Sequence, residues 1–560
     1  MTGYNRANLS RPYQNSHVDK FSSILNKYKY RRADKFKPVI KILSKMFTFL
    51  PEIVLFLVTI VLLVLGYFKY SYTYWSRRGI PFIKPKLFYG NLKSLPKGVG
   101  MGKYHFKPQY LILYVQLLLG LVSKTFHEEF RRMKVRYGGL YGIAQPILMV
   151  VDLDFIKDIF IKDFQYFVNR GMYHNETADP LSSNLLTQED QKWKNLRIKF
   201  TPTFTTGKMK NMFSSMNGCA QRMLDYMESS DKQALDAKNV MQRYTIDVIG
   251  TTVFGISCDS FAETSDFRRM ARRIFEVDFR SAINFCLALY CPTIAKYLGV
   301  TLTSRDVREF FFNVVASNVK YREQTNTKRS DFFQMLVDLK NAPNKEDSIN
   351  LTEITAQTFL FFLGGFETSS STMMFCTFEL AHRQEIQDRL RKEIREVLNK
   401  YNQEINYESI QEMKYLSQVL DETLRMYPPI PTLVRKCTQD YKIRGTEHVI
   451  EKGTTVLVSI FGVQRDPEIW QDPLEFDPER FSDENKRNHH PCAYIPFGNG
   501  PRNCLGMRFG LLQTKIGLVH LLKNYRFYPS PNTKVPLEFD QESGVLISLN
   551  DIYFKVEKLQ

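Results

Sequence analysis

The sequence predicts a mainly α-helical fold with small β-sheets behind a single N-terminal membrane anchor. Three observations carry that reading: one apolar segment long enough to cross a bilayer, helical spacing of apolar residues over most of the chain beyond residue 124, and a few short β-rich pieces between the helices. With 560 residues, 44% hydrophobic and 24% charged, the chain can bury a large core, and collagen-like, low-complexity and disordered classes are excluded. A mean hydropathy of −0.29 excludes a polytopic membrane protein.

The anchor is Met46–Phe68, MFTFLPEIVLFLVTIVLLVLGYF, with Glu52 its only charge; a single span needs about 20 residues. It runs into Lys69, Arg77 and Arg78 with no small-residue cleavage site, as an uncleaved anchor does and a signal peptide does not. Pro81, Pro85 and Gly90 then break regular structure, so residues 69–100 read as a hinge before a main domain over 101–560. Residues 1–45 hold eleven basic residues against Asp19 and Asp34, a large part of the net +19, and the mild remainder supports no nucleic-acid partner. Basic residues on both sides of the anchor favour a luminal main domain, whereas eight cysteines without a CxxC pair suit a reducing compartment. Translation from Met46 removes that conflict, so residues 1–45 are expected to be an alternative start or an extension that is not native, with a transit peptide the rival reading.

A second apolar run, Tyr110–Val122, is too short to span and reads as a core or interfacial helix. Helical spacing follows in MARRIFEVDFRSAINF, in VREFFFNVVASNVKYREQ, from Asn350 to Leu398 and from Leu505 to Tyr525. LYGIAQPILMVVD and GTTVLVSIF are the β-rich pieces.

The chemistry concentrates in Phe497-Gly498-Asn499-Gly500-Pro501-Arg502-Asn503-Cys504-Leu505-Gly506. A cysteine facing a helix N-terminus has a lowered pKa, so Cys504 reads as a thiolate ready to bind metal. Gly500 and Gly506 permit a tight turn and close approach of a flat ligand, and Arg502 supplies a fixed charge for a carboxylate. Gly364-Gly365-Phe366-Glu367-Thr368-Ser369 interrupts an apolar helix with two glycines, an acid and hydroxyls, each costly there without a purpose. Trp193 and Arg197 stand one turn apart, which suits a carboxylate.

F-x-x-G-x-R-x-C-x-G, matched by Phe497, Gly500, Arg502, Cys504 and Gly506, resembles the haem-binding signature of the cytochrome P-450 family. The resemblance implies the P-450 fold, haem b as cofactor and Cys504 as its axial ligand, whose thiolate favours O–O cleavage. It makes Thr368 the hydrogen-bond partner of the oxygen to be cleaved and Glu367 a proton relay. Trp193, Arg197 and Arg435, with Arg170 in FVNRG, match residues that hold the haem propionates. Glu422, Arg425 and Arg480 match a buried ion network. Segments such as TPTFTTGKMKNMF, AKYLGV and YPPIPTLVRKCT are similar to the insect microsomal detoxification branch, family six, and Phe285–Val300 looks like its membrane-dipping entry region. Residues 1–45 and the run Tyr110–Val122 have no counterpart in that pattern.

The implied function is a single-pass monooxygenase of the endoplasmic reticulum membrane, its haem-thiolate domain facing the cytosol. It would take a lipophilic substrate and electrons from NADPH through a reductase, with cytochrome b5 a further partner. The alternatives are a peroxide-using haem-thiolate enzyme, which needs less proton delivery than the Glu367–Thr368 pair offers, and a membrane-anchored haem protein without turnover.

Overall fold

In the computed structural model the chain is described over residues 52–91, 120–229, 234–276, 278–329, 331–344, 348–540 and 543–559, with positions 23, 27 and 41. It divides into two units, Met1–Ser71 and Tyr72–Gln560. An apolar helix, α1, spans Glu52–Arg78 and is long and apolar enough to cross a membrane. Its regular α-helical part runs to Ser71, past the predicted end at Phe68, and a turn and the 3-10 segment Ser76–Arg78 follow before Gly79, in the left-handed conformation at φ 66°. Residues 46–51 lie outside the described residues, as does nearly all of 1–45.

The predicted hinge is fastened where it is described. Trp75 is fully buried, its Nε1 donates to Leu140 O at 3.0 Å, and its amide donates to the Tyr141 hydroxyl at 3.1 Å. That hydroxyl donates in turn to Tyr72 O at 2.9 Å. Residues 92–119 lie outside the described residues, and with them most of the run Tyr110–Val122. Its end is core: Leu121 is buried, and the buried Val122 opens a helix, Val122–Arg132.

The β-rich pieces meet in a four-stranded sheet. β1 (Tyr137–Gly142) and β2 (Gln145–Val150) form a hairpin, while β3 (Thr432–Lys436) runs antiparallel to β4 (Thr455–Ser459), giving the order β1-β2-β4-β3. The main core is helical. It contains α2 (Asp190–Phe200), α3 (Thr206–Ser229), α4 (Ala237–Ile249), α5 (Leu351–His382), α6 (Lys414–Met426) and α7 (Met507–Asn524). α5 is the central element: Asn350 and Glu353 close a capping box at its start, and its side chains are buried on nearly all sides, as a helix apolar all round must be. The predicted stretch Asn350–Leu398 breaks at Arg383, whose φ of −124° ends α5 before a helix at Gln384–Lys400. MARRIFEVDFRSAINF likewise splits into Asp266–Phe275 and Phe279–Tyr290, because the Asp278 carboxylate accepts the Ser281 amide at 2.7 Å and caps a new helix.

α6 carries the ion network. The Arg425 guanidinium binds Glu422 through two hydrogen bonds of 2.6 and 2.8 Å, with both side chains fully buried. Arg425 also donates to the carbonyls of Gln464, Pro473 and Glu475, and the Asp477 amide donates to Glu422 at 2.9 Å. Arg480 Nε lies 3.4 Å from Glu422. Glu422→Ala strands this cation, so it is expected to cost about 3–5 kcal/mol in denaturant unfolding; a loss below about 1 kcal/mol contradicts the network's structural role.

On α7, His520 is buried and bonded through Nε2 to Asn217 Oδ1 at 2.8 Å, and burial pushes its pKa down to about 4. Between that value and the ordinary 6.5 the unfolded chain binds a proton that the folded chain refuses. Stability is therefore expected to fall as pH drops from 6.5 toward 4, and His520→Phe to flatten that slope in pH-dependent unfolding.

Candidate active site around Cys504

The segment before α7 folds back on itself. Asn499 Oδ1 accepts the Gly500 amide at 2.8 Å, Gly500–Arg502 forms a 3-10 turn, and the Cys504 amide donates to Phe497 O at 2.8 Å, closing the loop. α7 begins at Met507 with Gly506 as its cap. Gly500 needs to be glycine because its φ is 70° and an added Cβ would lie 1.8 Å from the Phe160 carbonyl oxygen. The close approach predicted at this residue is thus to the protein's own backbone. Gly506 is the open one, with Phe204 Cε1 at 4.0 Å the nearest atom to an added Cβ.

Cys504 retains accessible area, and Arg197 and Arg170 lie close enough to act on its thiol. Burial pushes its thiol up, against the Gly506 amide and the positive charges of Arg197 and Arg170, which pull it down. The net direction is upward, because desolvation outweighs the Gly506 amide and the two arginines.

Four arginines converge beside it. A bridge between Asn169 and Lys436 sets Arg170 next to Arg435 on β3. Arg170 donates to Leu186 O and to Arg502 O at 3.2 and 3.1 Å, and Arg502 donates to Gln188 O at 2.7 Å. Arg197 donates to Asn503 twice, to O at 2.9 Å and to Oδ1 at 2.7 Å. Trp193 does not join Arg197; its ring lies 4.2 Å from the Arg502 guanidinium and supports that cation.

Burial and mutual repulsion push Arg435 well below its ordinary pKa and Arg502 to about 9, and burial takes Arg170 to about 10. Arg502 and Arg170 stay charged at neutral pH. Arg435 Nε and Nη2 and Arg502 Nε are buried without a hydrogen-bond partner. None of the four is ion-paired among the described residues, with Glu189 and Asp190 acting on Arg502 only from further off. Unpaired buried cations are costly, so this cluster fits a ligand that brings its own carboxylates.

α5 crosses the same region. Gly365 packs against Ile249 of α4, whose Cδ1 would lie 2.4 Å from an added Cβ, while Gly364 is exposed with nothing within 4 Å of one. The two glycines therefore do different work: one lets α4 close in, the other leaves the space beside it open. Half-buried Thr368 donates to Gly364 O at 2.6 Å. Glu367 takes another direction, its buried carboxylate accepting from Gln242 at 2.6 Å and lying 3.9 Å from Lys238 Nζ. The acid and hydroxyl that adjoin in sequence thus turn to different neighbours.

Sequence reasoning missed Asn503, Gln242 and Gln513, which hold Arg197, Glu367 and the Gly365–Ser369 turn. Their one signal was a polar residue inside or beside an apolar pattern. Gly500→Ala is expected to destabilise the fold by about 3 kcal/mol or more, whereas Gly506→Ala leaves the unfolding transition near wild type. Equal effects in circular-dichroism unfolding contradict the different roles of the two glycines.

A family model described as Cytochrome P450 matches residues 106–556. Probable cytochrome P450 6a23 of Drosophila melanogaster is 40% identical over 495 residues, covering 87% of this chain and 95% of that protein. Cytochrome P450 6A1 of Musca domestica is 37% identical over 508 residues, covering 89% and 96%. Probable cytochrome P450 6a14 of Drosophila melanogaster is 38% identical over 528 residues, covering 90% and 100%. The cofactor that brings carboxylates to an arginine cluster and an iron to a cysteine is haem, and this chain belongs to the cytochrome P450 family of haem-thiolate monooxygenases, alongside its insect family 6 members.

Proposed function

We propose that the chain inserts one oxygen atom from O2 into a lipophilic small molecule, taking electrons from NADPH through a reductase, with cytochrome b5 as a further donor. The observation that carries this is the pairing of an accessible cysteine with four arginines, Arg435 and Arg502 buried and Arg170 and Arg197 half-buried, none of them ion-paired among the described residues. Cys504 would be the axial ligand, and Arg170, Arg197, Arg435 and Arg502 would hold the propionates, with Trp193 supporting Arg502. Gly506 leaves a face open to the flat ring, Gly500 lets the loop close on Phe160, and Phe497 fixes Cys504 through its carbonyl. Haem bound by a thiolate supplies the redox chemistry that favours O–O cleavage.

The distal residues manage protons. Because the Thr368 hydroxyl gives its hydrogen to Gly364 O, its oxygen keeps lone pairs free, so it holds a water or a protonated oxygen by accepting from it. Glu367 takes protons from the surface side, where Lys238 is 38% exposed, and Gln242 steadies its carboxylate. α1 supports a bilayer anchor at residues 46–68, with 69–100 leading to a haem-thiolate domain over 101–560 on the cytosolic face of the endoplasmic reticulum.

The test is the reduced carbon-monoxide difference spectrum of membranes carrying the full chain, followed by NADPH and product stoichiometry with a lipophilic probe. A strongly red-shifted Soret band lost in Cys504→Ser is expected, and an unshifted band in the wild type overturns the reading. Thr368→Ala is expected to keep NADPH consumption within about twofold while product falls about tenfold or more and peroxide rises. Full coupling in that variant removes Thr368 from the proton path.

A further inference from the structure

Five consecutive carbonyls of α5 each accept a side-chain hydrogen bond. Thr368 donates to Gly364 O at 2.6 Å, Gln513 to Gly365 O at 2.8 Å and Thr245 to Phe366 O at 3.0 Å. Ser370 donates to Glu367 O at 3.1 Å and Thr372 to Thr368 O at 2.8 Å. Three donors belong to α5 itself; Gln513 of α7 and Thr245 of α4 come from outside. A helix turn weakened by two glycines is thus gripped from two sides.

Gln513 has the wider grip. Its Nε2 also donates to Ser369 Oγ at 2.5 Å, so one amide spans the turn whose other residues include Thr368. Its backbone carbonyl accepts the Tyr244 hydroxyl at 2.8 Å, and an added Cβ at neighbouring Gly510 would lie 3.7 Å from Ser369 Oγ. The side chain is fully buried among apolar α7 neighbours such as Leu512 and Ile516, and its Oε1 has no partner. A purely structural position would be filled more cheaply by Leu or Met, because a buried carbonyl left unsatisfied costs roughly 1–3 kcal/mol. An amide neither gains nor loses a proton at physiological pH, so the group holds rather than transfers.

We propose that Gln513 is a positioning residue: it ties the Gly365–Ser369 turn of α5 to the helix that starts just after Cys504, and so sets where Thr368 stands relative to the cysteine. The inference rests on the proton role proposed for Thr368. The test uses the full-length holoenzyme in bilayers with three readouts: the carbon-monoxide difference spectrum, product formed per NADPH, and amide hydrogen exchange of a peptide covering residues 360–372. Gln513→Met is expected to keep the red-shifted band, raise exchange in 360–372 about tenfold while the Gln384–Lys400 helix stays unchanged, and lower product per NADPH at least threefold. Ser369→Ala, which removes one acceptor and keeps the other, is expected to shift exchange and coupling the same way by less; it also serves if Gln513→Met does not fold. Unchanged exchange and coupling in the variants that fold overturn the proposal. Loosened exchange in Gln513→Met beside a fully coupled Thr368→Ala keeps the tie and overturns the Thr368 role instead.

Discussion

Four guanidinium groups gathered around one cysteine, two buried and two half-buried, with no ion-paired carboxylate among the described residues, are the constraint on which the rest of the site depends. Their burial is expensive, and the carbonyls of Leu186, Gln188, Asn503 and Arg502 recover part of it by accepting their hydrogen bonds. What remains is charge, and charge of one sign in a low-dielectric interior selects a dianion of matching reach. The same field draws Cys504 toward its thiolate, against a burial that alone would keep it protonated. Haem, if held as proposed, would have its carboxylates answered by the arginines and its iron by Cys504, each contact favouring the other.

The fold places these groups from distant parts of the chain. β3 brings Arg435, an extended segment bridged to it brings Arg170, α2 brings Trp193 and Arg197, and the loop before α7 brings Arg502 with Cys504. The Glu422–Arg425 pair fixes α6 to the carbonyls of Gln464, Pro473 and Glu475, so the segment leading toward the cysteine loop is pinned at a site that is itself costly to disturb. α5 then divides its labour by face. Gly365 and Glu367 turn to α4, and Gly364 turns to open space with Thr368 bonded across its carbonyl.

Much of this was legible in the sequence because it is written in short spacings. The decapeptide around Cys504, the Gly-Gly-Phe-Glu-Thr turn and the long apolar helix each declare themselves in contiguous sequence. Other features depend on partners far away in the chain and were not legible. Gly500 and Gly506 look alike in sequence, yet one meets the Phe160 carbonyl and the other meets almost nothing. Helical spacing pairs Trp193 with Arg197, but its ring supports Arg502, more than 300 residues on. The direction of the Cys504 pKa follows from burial, which no local pattern encodes, and Gln513 is an unremarked polar residue until α5 lies against it.

The most direct measurement compares retention of haem and of its dimethyl ester, in which both propionates are neutralised, by the full-length protein. The account requires the ester to dissociate at least about tenfold faster, a difference of roughly 1.4 kcal/mol, and the gap to narrow in Arg435→Met, where one of the buried cations is gone. Equal retention of the two rings by the wild type would contradict it, for the arginine cluster would then answer to something other than the ligand's carboxylates.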